Sequence, residues 1–166
     1  GWRDRAYEAL TWFLRYRRPP EFRAFAEVVG SDTRKPRFIG DQPHSWVGTD
    51  YVRSVLDMLA FTRGADSTLV VAAGVPIQWA SQDSGVKVAR MPTPFGPLGY
   101  ALRITGTRAT VTLDAGLRSP PGGIEIAPPP AGAAPYTTVT VDGRPAKLGA
   151  GGRLIVRKVP ATIVFE

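Results

Sequence analysis

Apolar residues recur at helical spacing near the start of the chain. Over residues 4–17, Tyr7, Leu10, Phe13 and Leu14 fall on one face, with Ala6 and Trp12 at its margins, which predicts an amphipathic helix. Pro19-Pro20 stops it, because the residue before a proline is driven out of the helical region. The short aromatic stretch 21–29 suits a brief helix or an extended segment. Residues 30–47 read as a long loop rich in Gly, Pro, Asp and Arg, and loops of that length are usually functional or disordered. Phe38, Ile39 and Trp46 within it argue against simple disorder. A second helix is predicted over 49–61, with Thr49 as N-cap and Asp50 in the first turn. Val52, Val55, Leu56, Leu59 and Ala60 form its apolar stripe, and Gly64 is its stop.

From residue 67 the period changes to two. Strands are predicted over 68–72, 86–91, 99–104, 108–113, 123–126, 137–141, 154–158 and 161–165. Thr105-Gly106-Thr107 between two alternating runs is a hairpin signal, and Asp142-Gly143 is a second turn. Pro128-Pro129-Pro130 marks a loop or linker. Seven or eight short strands at this spacing suggest an antiparallel β-sandwich. The expected fold class is α+β, with a helical segment over 1–66 and the β-sandwich over 67–166.

Composition sharpens this picture. The 18 glycines and 16 prolines gather after residue 64, which favours short strands and many turns. There is no cysteine, so disulfides, thiolate metal sites and a thiol nucleophile are excluded. No apolar run approaches the roughly 20 residues of a membrane span, and no membrane partner is expected. The compartment stays open. The net charge of +7 raises nucleic-acid binding, but no recognised nucleic-acid motif is present. The one dense basic run, Arg15-Tyr16-Arg17-Arg18, ends a predicted helix, where cations complement the helix dipole. No nucleic-acid partner is expected. No cluster has zinc or calcium spacing and no phosphate-binding loop is present, so neither a metal nor a cofactor is expected.

Two helices of three to four turns cannot bury Trp2, Trp12, Phe13, Phe22, Phe25, Trp46 and Tyr51 among themselves. They need the β-domain or further helices. The chain also opens abruptly in a helix, which is the expectation for the C-terminal portion of a larger protein.

Chemistry concentrates in Phe25-Ala26-Glu27 and in His44-Ser45-Trp46-Val47-Gly48-Thr49-Asp50-Tyr51. These stretches resemble the end of the catalytic domain in (α/α)-barrel, six-hairpin glycosidases, glucoamylase-like enzymes above all. In that family a Glu in a short aromatic-Ala-Glu segment is the general base, and a Thr/Ser-Trp pair after a Gly-containing loop opens the last barrel helix. Phe25-Ala26-Glu27 matches the first element and Ser45-Trp46 the second. Leu69-Val70-Val71-Ala72-Ala73-Gly74-Val75-Pro76 followed by Trp79 is similar to the passage from barrel to β-sandwich in maltose- and cellobiose-type phosphorylases. The string from Phe38-Ile39-Gly40-Asp41 to Val75-Pro76 also resembles C-terminal regions of large bacterial glycosidase-like proteins.

The resemblance implies an inverting glycoside hydrolase acting on an oligo- or polysaccharide. Glu27 would activate water, opposite a general acid roughly 6.5–9.5 Å away that lies before residue 1. Trp46 would stack on a sugar face, and His44, Asp41 or Arg23 would bind hydroxyls. The remainder of the barrel would be the chain's partner, and the chain alone would be inactive. Hydrolase and phosphorylase both stay open; a base carboxylate favours the hydrolase, because phosphorylases use phosphate in its place. Plainer roles stand beside these. Glu27 suits a solvated or salt-bridged side chain paired with Arg23, His44 a structural histidine, and Trp46 and Trp79 packing residues. The alternative function is a non-catalytic β-sandwich that binds carbohydrate or braces a neighbouring domain. Carbohydrate binding by it would call for exposed aromatics in a row, with Phe95, Tyr100 and Tyr136 as candidates.

Overall fold

The alternation of apolar and polar positions after residue 67 does build strands, and they form two sheets. The computed structural model describes residues 2–17, 21, 24–32, 40–131 and 135–166. Its chain is α+β and divides into two units, Gly1–Asp57 and Met58–Glu166.

Among the described residues, the first unit carries two helices, α1 (Arg3–Arg15) and α2 (Ser45–Leu59), the second of which runs two residues into the next unit. Asp4 in the first turn and Arg15 in the last both complement the dipole of α1. Helix α2 starts four residues earlier than its sequence predicts. Thr49 is therefore not an N-cap: its hydroxyl donates to the Ser45 carbonyl one turn back, at 2.9 Å. The helix start is held instead by His44, whose Nδ1 accepts the Val47 amide at 3.3 Å. The apolar stripes find little cover. Leu10 is the one buried residue of α1 and Met58 that of α2, while Phe13, Leu14, Val52 and Leu56 are exposed.

In the second unit, strands β1 (Ala60–Arg63), β2 (Thr68–Val71), β6 (Ile124–Ile126) and β9 (Leu154–Val156) form one sheet in the order β1-β2-β6-β9. The other sheet has the order β3-β4-β5-β10-β7-β8. It comprises β3 (Val86–Thr93), β4 (Gly96–Thr105), β5 (Arg108–Leu113), β7 (Val139–Val141), β8 (Arg144–Pro145) and β10 (Ala161–Phe165). A one-turn helix, α3 (Ile77–Ala80), connects β2 to β3. The large sheet is antiparallel throughout. In the small one, β2 and β6 run parallel, Leu69 opposite Ile124. That pair departs from the purely antiparallel expectation, and it needs a crossover, which α3 and the β3-β4-β5 meander supply.

Strand β1 begins at Ala60, directly after the helix, where the sequence carries the helical stripe on to Phe61. Its pairing with β2, Ala60 opposite Val71, takes up the backbone groups that a longer helix would have used. Asp142 and Gly143 adopt φ +51 and +76, the pair of positive angles that a two-residue hairpin between β7 and β8 requires.

Both sheets contribute inward residues to one core. Leu69, Val71, Ile124, Ile126, Leu154 and Val156 come from the small sheet, and Tyr100, Leu102, Val111, Ile163 and Phe165 from the large one. Each fully buried Leu, Ile, Val or Phe contributes about 1.5–3 kcal/mol. The Tyr100 hydroxyl, deep in this core, donates to the Leu59 carbonyl at 3.0 Å. Among the described residues no helix is long and apolar enough to cross a membrane.

Candidate functional site

The segment around Glu27 is tied to the loop that precedes α2 by backbone pairing across 14 residues. The Glu27 amide donates to the Asp41 carbonyl at 3.1 Å, and the His44 amide donates to the Phe25 carbonyl at 2.8 Å. The Asp41 amide in turn donates to the Glu27 carboxylate at Oε2, 3.3 Å away. This last bond orients the carboxylate. Ala26, between the paired residues, is fully buried, so the strand-like stretch alternates: Ala26 in, Glu27 out.

Gly40 explains the Gly-Asp pair in the loop. Its φ is +63, and a β-carbon there would collide with the Glu27 carboxylate. Any other residue would be strained and would push Glu27 aside. On the other side of Asp41, the Gln42 side-chain nitrogen is buried with no hydrogen-bond partner among the described residues. Such unsatisfied donors are rare, costing about 1–3 kcal/mol each.

Aromatic rings flank this loop. Phe25 lies 4.9 Å from the Tyr51 ring and 6.5 Å from that of Phe13. Burial raises the Tyr51 phenol above its ordinary pKa, against a smaller lowering from the Arg17 charge. His44 and Trp46 stack with centroids 6.3 Å apart, and Trp46 is 72% exposed.

Four of the five candidate residues thus lie in one described cluster. Glu27 and Asp41 touch directly, His44 is joined to the neighbouring Phe25, and Trp46 rests on His44. Arg23 lies outside the described residues, as does Phe38-Ile39. His44 has a structural duty as the cap of α2, which its imidazole performs in the form with Nδ1 unprotonated. Asp50 sits in the second turn of α2 rather than the first. No group of three or more potential metal ligands occurs among the described residues.

In the second unit, Phe95, Tyr100 and Tyr136 do not make an aromatic row. Tyr100 is buried in the core, Phe95 packs against it, and Tyr136 lies 5.6 Å from the Phe165 ring with its hydroxyl bonded to the Pro130 carbonyl. Two charged features of this unit escape the sequence pattern. One is the buried Glu125 of β6, 4% exposed, which pairs with Arg63 at 2.9 Å and Arg153 at 3.5 Å. Arg63 also binds Asp66, holding that carboxyl well below the usual carboxylate range together with Thr68. The other is the solvent face of the large sheet, where Arg103 and Arg108 stand among threonines. Its signal was the alternation itself: 101, 103, 105 and 108, 110, 112 are the polar half of two period-two runs.

Compared with protein-family models, with curated proteins and with solved structures, the chain finds no match.

Proposed function

We propose that the chain is the closing part of an (α/α)-barrel glycoside hydrolase: the last helices of the barrel followed by a β-sandwich made of the two sheets. The carrying observation is the Glu27–Asp41 pairing, which presents an exposed carboxylate, oriented through Oε2, on a framework shared with His44 and Trp46. In this reading Glu27 is the general base that takes a proton from water as it attacks the anomeric carbon. The acid that protonates the leaving oxygen comes from the remainder of the barrel. Trp46, with an exposed ring, supplies the sugar platform. Asp41 and Arg23 bind hydroxyls, and His44 holds the start of α2.

The uncovered helical faces support the barrel half of the proposal. Phe13 and Leu14 on α1 and Val52 and Leu56 on α2 form the kind of apolar stripe that helical hairpins bury against each other. The orphaned Gln42 donor fits the same need for further cover. The non-catalytic alternative, a β unit that braces its neighbour, is favoured by the self-contained core of the two sheets.

The test is turnover by the complete protein on a panel of α- and β-linked oligosaccharides. Glu27→Gln should cut kcat by about 10²–10⁴-fold, the usual range for a positioned base, with a smaller change in KM. The chain 1–166 alone should show no turnover. Full activity in the Gln variant, or turnover by the isolated chain, defeats the assignment.

A further inference from the structure

The solvent face of the large sheet carries a group of positive charges, Lys87, Arg103 and Arg108. Arg103 on β4 lies opposite Thr110 on β5, and Arg108 on β5 lies opposite Thr105 on β4. The two arginines are therefore diagonal neighbours on one face, roughly 7–8 Å apart, within reach of each other's long side chains. Lys87 of β3 lies opposite Ala101 and so points to the same side. Arg108 has a partner in Glu166 at 3.3 Å, but both side chains are more than half exposed, and such pairs are worth little. The side chains of Arg103 and Lys87 have no ion-pair or hydrogen-bond partner among the described residues.

This face is also shaped. A depression of about 420 Å³ is lined by Ala101, Arg103, Thr105, Arg108, Thr110 and Thr112. A second, of about 300 Å³, shares Arg103 and Thr105 with it and extends to Ser81, Gln82 and Asp83 beyond α3. The larger depression is an open track along β4 and β5. The small side chain of Ala101 keeps its floor low, and the threonines line it with hydroxyls. Acidic groups lie near it: Glu166 pairs with Arg108, Asp83 lines the smaller depression, Asp114 lies against Gly99 and Asp142 beside Thr162.

We propose that this track binds an acidic polysaccharide through its carboxylates, a uronate-bearing glycan. A guanidinium donates two parallel hydrogen bonds to a carboxylate. Two guanidiniums on a diagonal, with hydroxyl donors and acceptors between them, match a ligand that repeats a carboxylate amid sugar hydroxyls. No aromatic side chain lines either depression. Neutral sugars and nucleobases, which rely on stacking, lack their platform here. The site is independent of the role assigned to Glu27, since it lies wholly within the second unit.

Binding is measured by isothermal titration of the full chain with oligogalacturonate at low and at moderate salt. Maltodextrin and a thymidine oligonucleotide of matched length are the comparison ligands. The expected result is saturable binding of oligogalacturonate that weakens as salt rises, with no binding of maltodextrin. Arg103→Gln with Arg108→Gln should weaken it by about tenfold or more, because both charge-assisted contacts to carboxylates are lost. Arg144→Gln, which removes one positive charge from β8, should leave affinity within about twofold. All of these side chains are exposed, so the variants keep the wild-type thermal midpoint. The proposal is overturned by absence of saturable uronate binding, by equal weakening in Arg144→Gln, or by an oligonucleotide that binds more tightly and is lost with the same two arginines.

Discussion

Replacing Tyr100 by phenylalanine removes one oxygen from the core, and its cost can be worked out from two hydrogen bonds. The hydroxyl donates to the Leu59 carbonyl at 3.0 Å, and Tyr100 is 1% exposed. Had this been the carbonyl's one partner, the variant would leave a buried acceptor unsatisfied, at about 1–3 kcal/mol beyond the lost bond. The Ala72 amide, however, donates to the same carbonyl at 2.8 Å. Leu59 therefore stays satisfied, and the expected cost is the net value of one bond, about 1 kcal/mol. Tyr100→Ala, which also empties the ring's volume, should cost about 3–5 kcal/mol, as large aromatic truncations do. Urea denaturation reads both as shifts in midpoint at unchanged slope. A loss above about 3 kcal/mol for the phenylalanine variant would mean that the Ala72 bond does not satisfy Leu59. No loss at all would mean that the hydroxyl bond contributes nothing. The same burial raises the phenol's pKa above its ordinary value. A raised folded-state pKa adds stability that is complete below the unfolded value of about 10 and is lost as pH climbs beyond it. Tyr100→Phe should flatten that alkaline decline.

Two further predictions concern the second unit. A β-carbon at Gly74 would come within 2.6 Å of the Met58 α-carbon, a backbone atom that cannot rotate away. Gly74→Ala should therefore destabilise by about 1–3 kcal/mol, as overpacking does, and a thermal midpoint equal to wild type would refute this. Asp66 has its pKa depressed by Arg63 and Thr68, so its contribution is present above the unfolded value of about 3.9 and is lost as pH falls below it. Denaturation midpoints of the wild type and Asp66→Asn should converge on acidification from about pH 7 to about pH 2.5, and a constant gap would contradict the ion pair's role.

The strands were legible because their signal is local. Val86, Val88, Leu102, Ile104, Ala109, Val111 and Leu113 alternate with polar residues, and a period of two puts them on one face wherever the strand goes. Asp142-Gly143 announced its hairpin because positive φ is a property of those residues themselves. Strand β1 was not legible: Ala60-Phe61 continues the helical stripe, and the strand exists because β2 offers its edge. The start of α2 was displaced for a similar reason, since the cap is the side chain of His44 rather than the hydroxyl of Thr49.

The candidate site divides along the same line. The residue types in Phe25-Ala26-Glu27 and His44-Ser45-Trp46 suggested sugar chemistry only through their resemblance to (α/α)-barrel glycosidases. Only the fold joined Glu27 to Asp41, set Gly40 over the carboxylate and left the Gln42 nitrogen without a partner among the described residues. Likewise the chain's positive charge was countable from its composition, whereas the diagonal of Arg103 and Arg108 follows from the register of β4 against β5. Periodicity is written along the chain, so sequence determines which face a residue takes. Which faces meet, and which charges are left side by side, depends on pairings between distant segments, and those the tertiary structure alone decides.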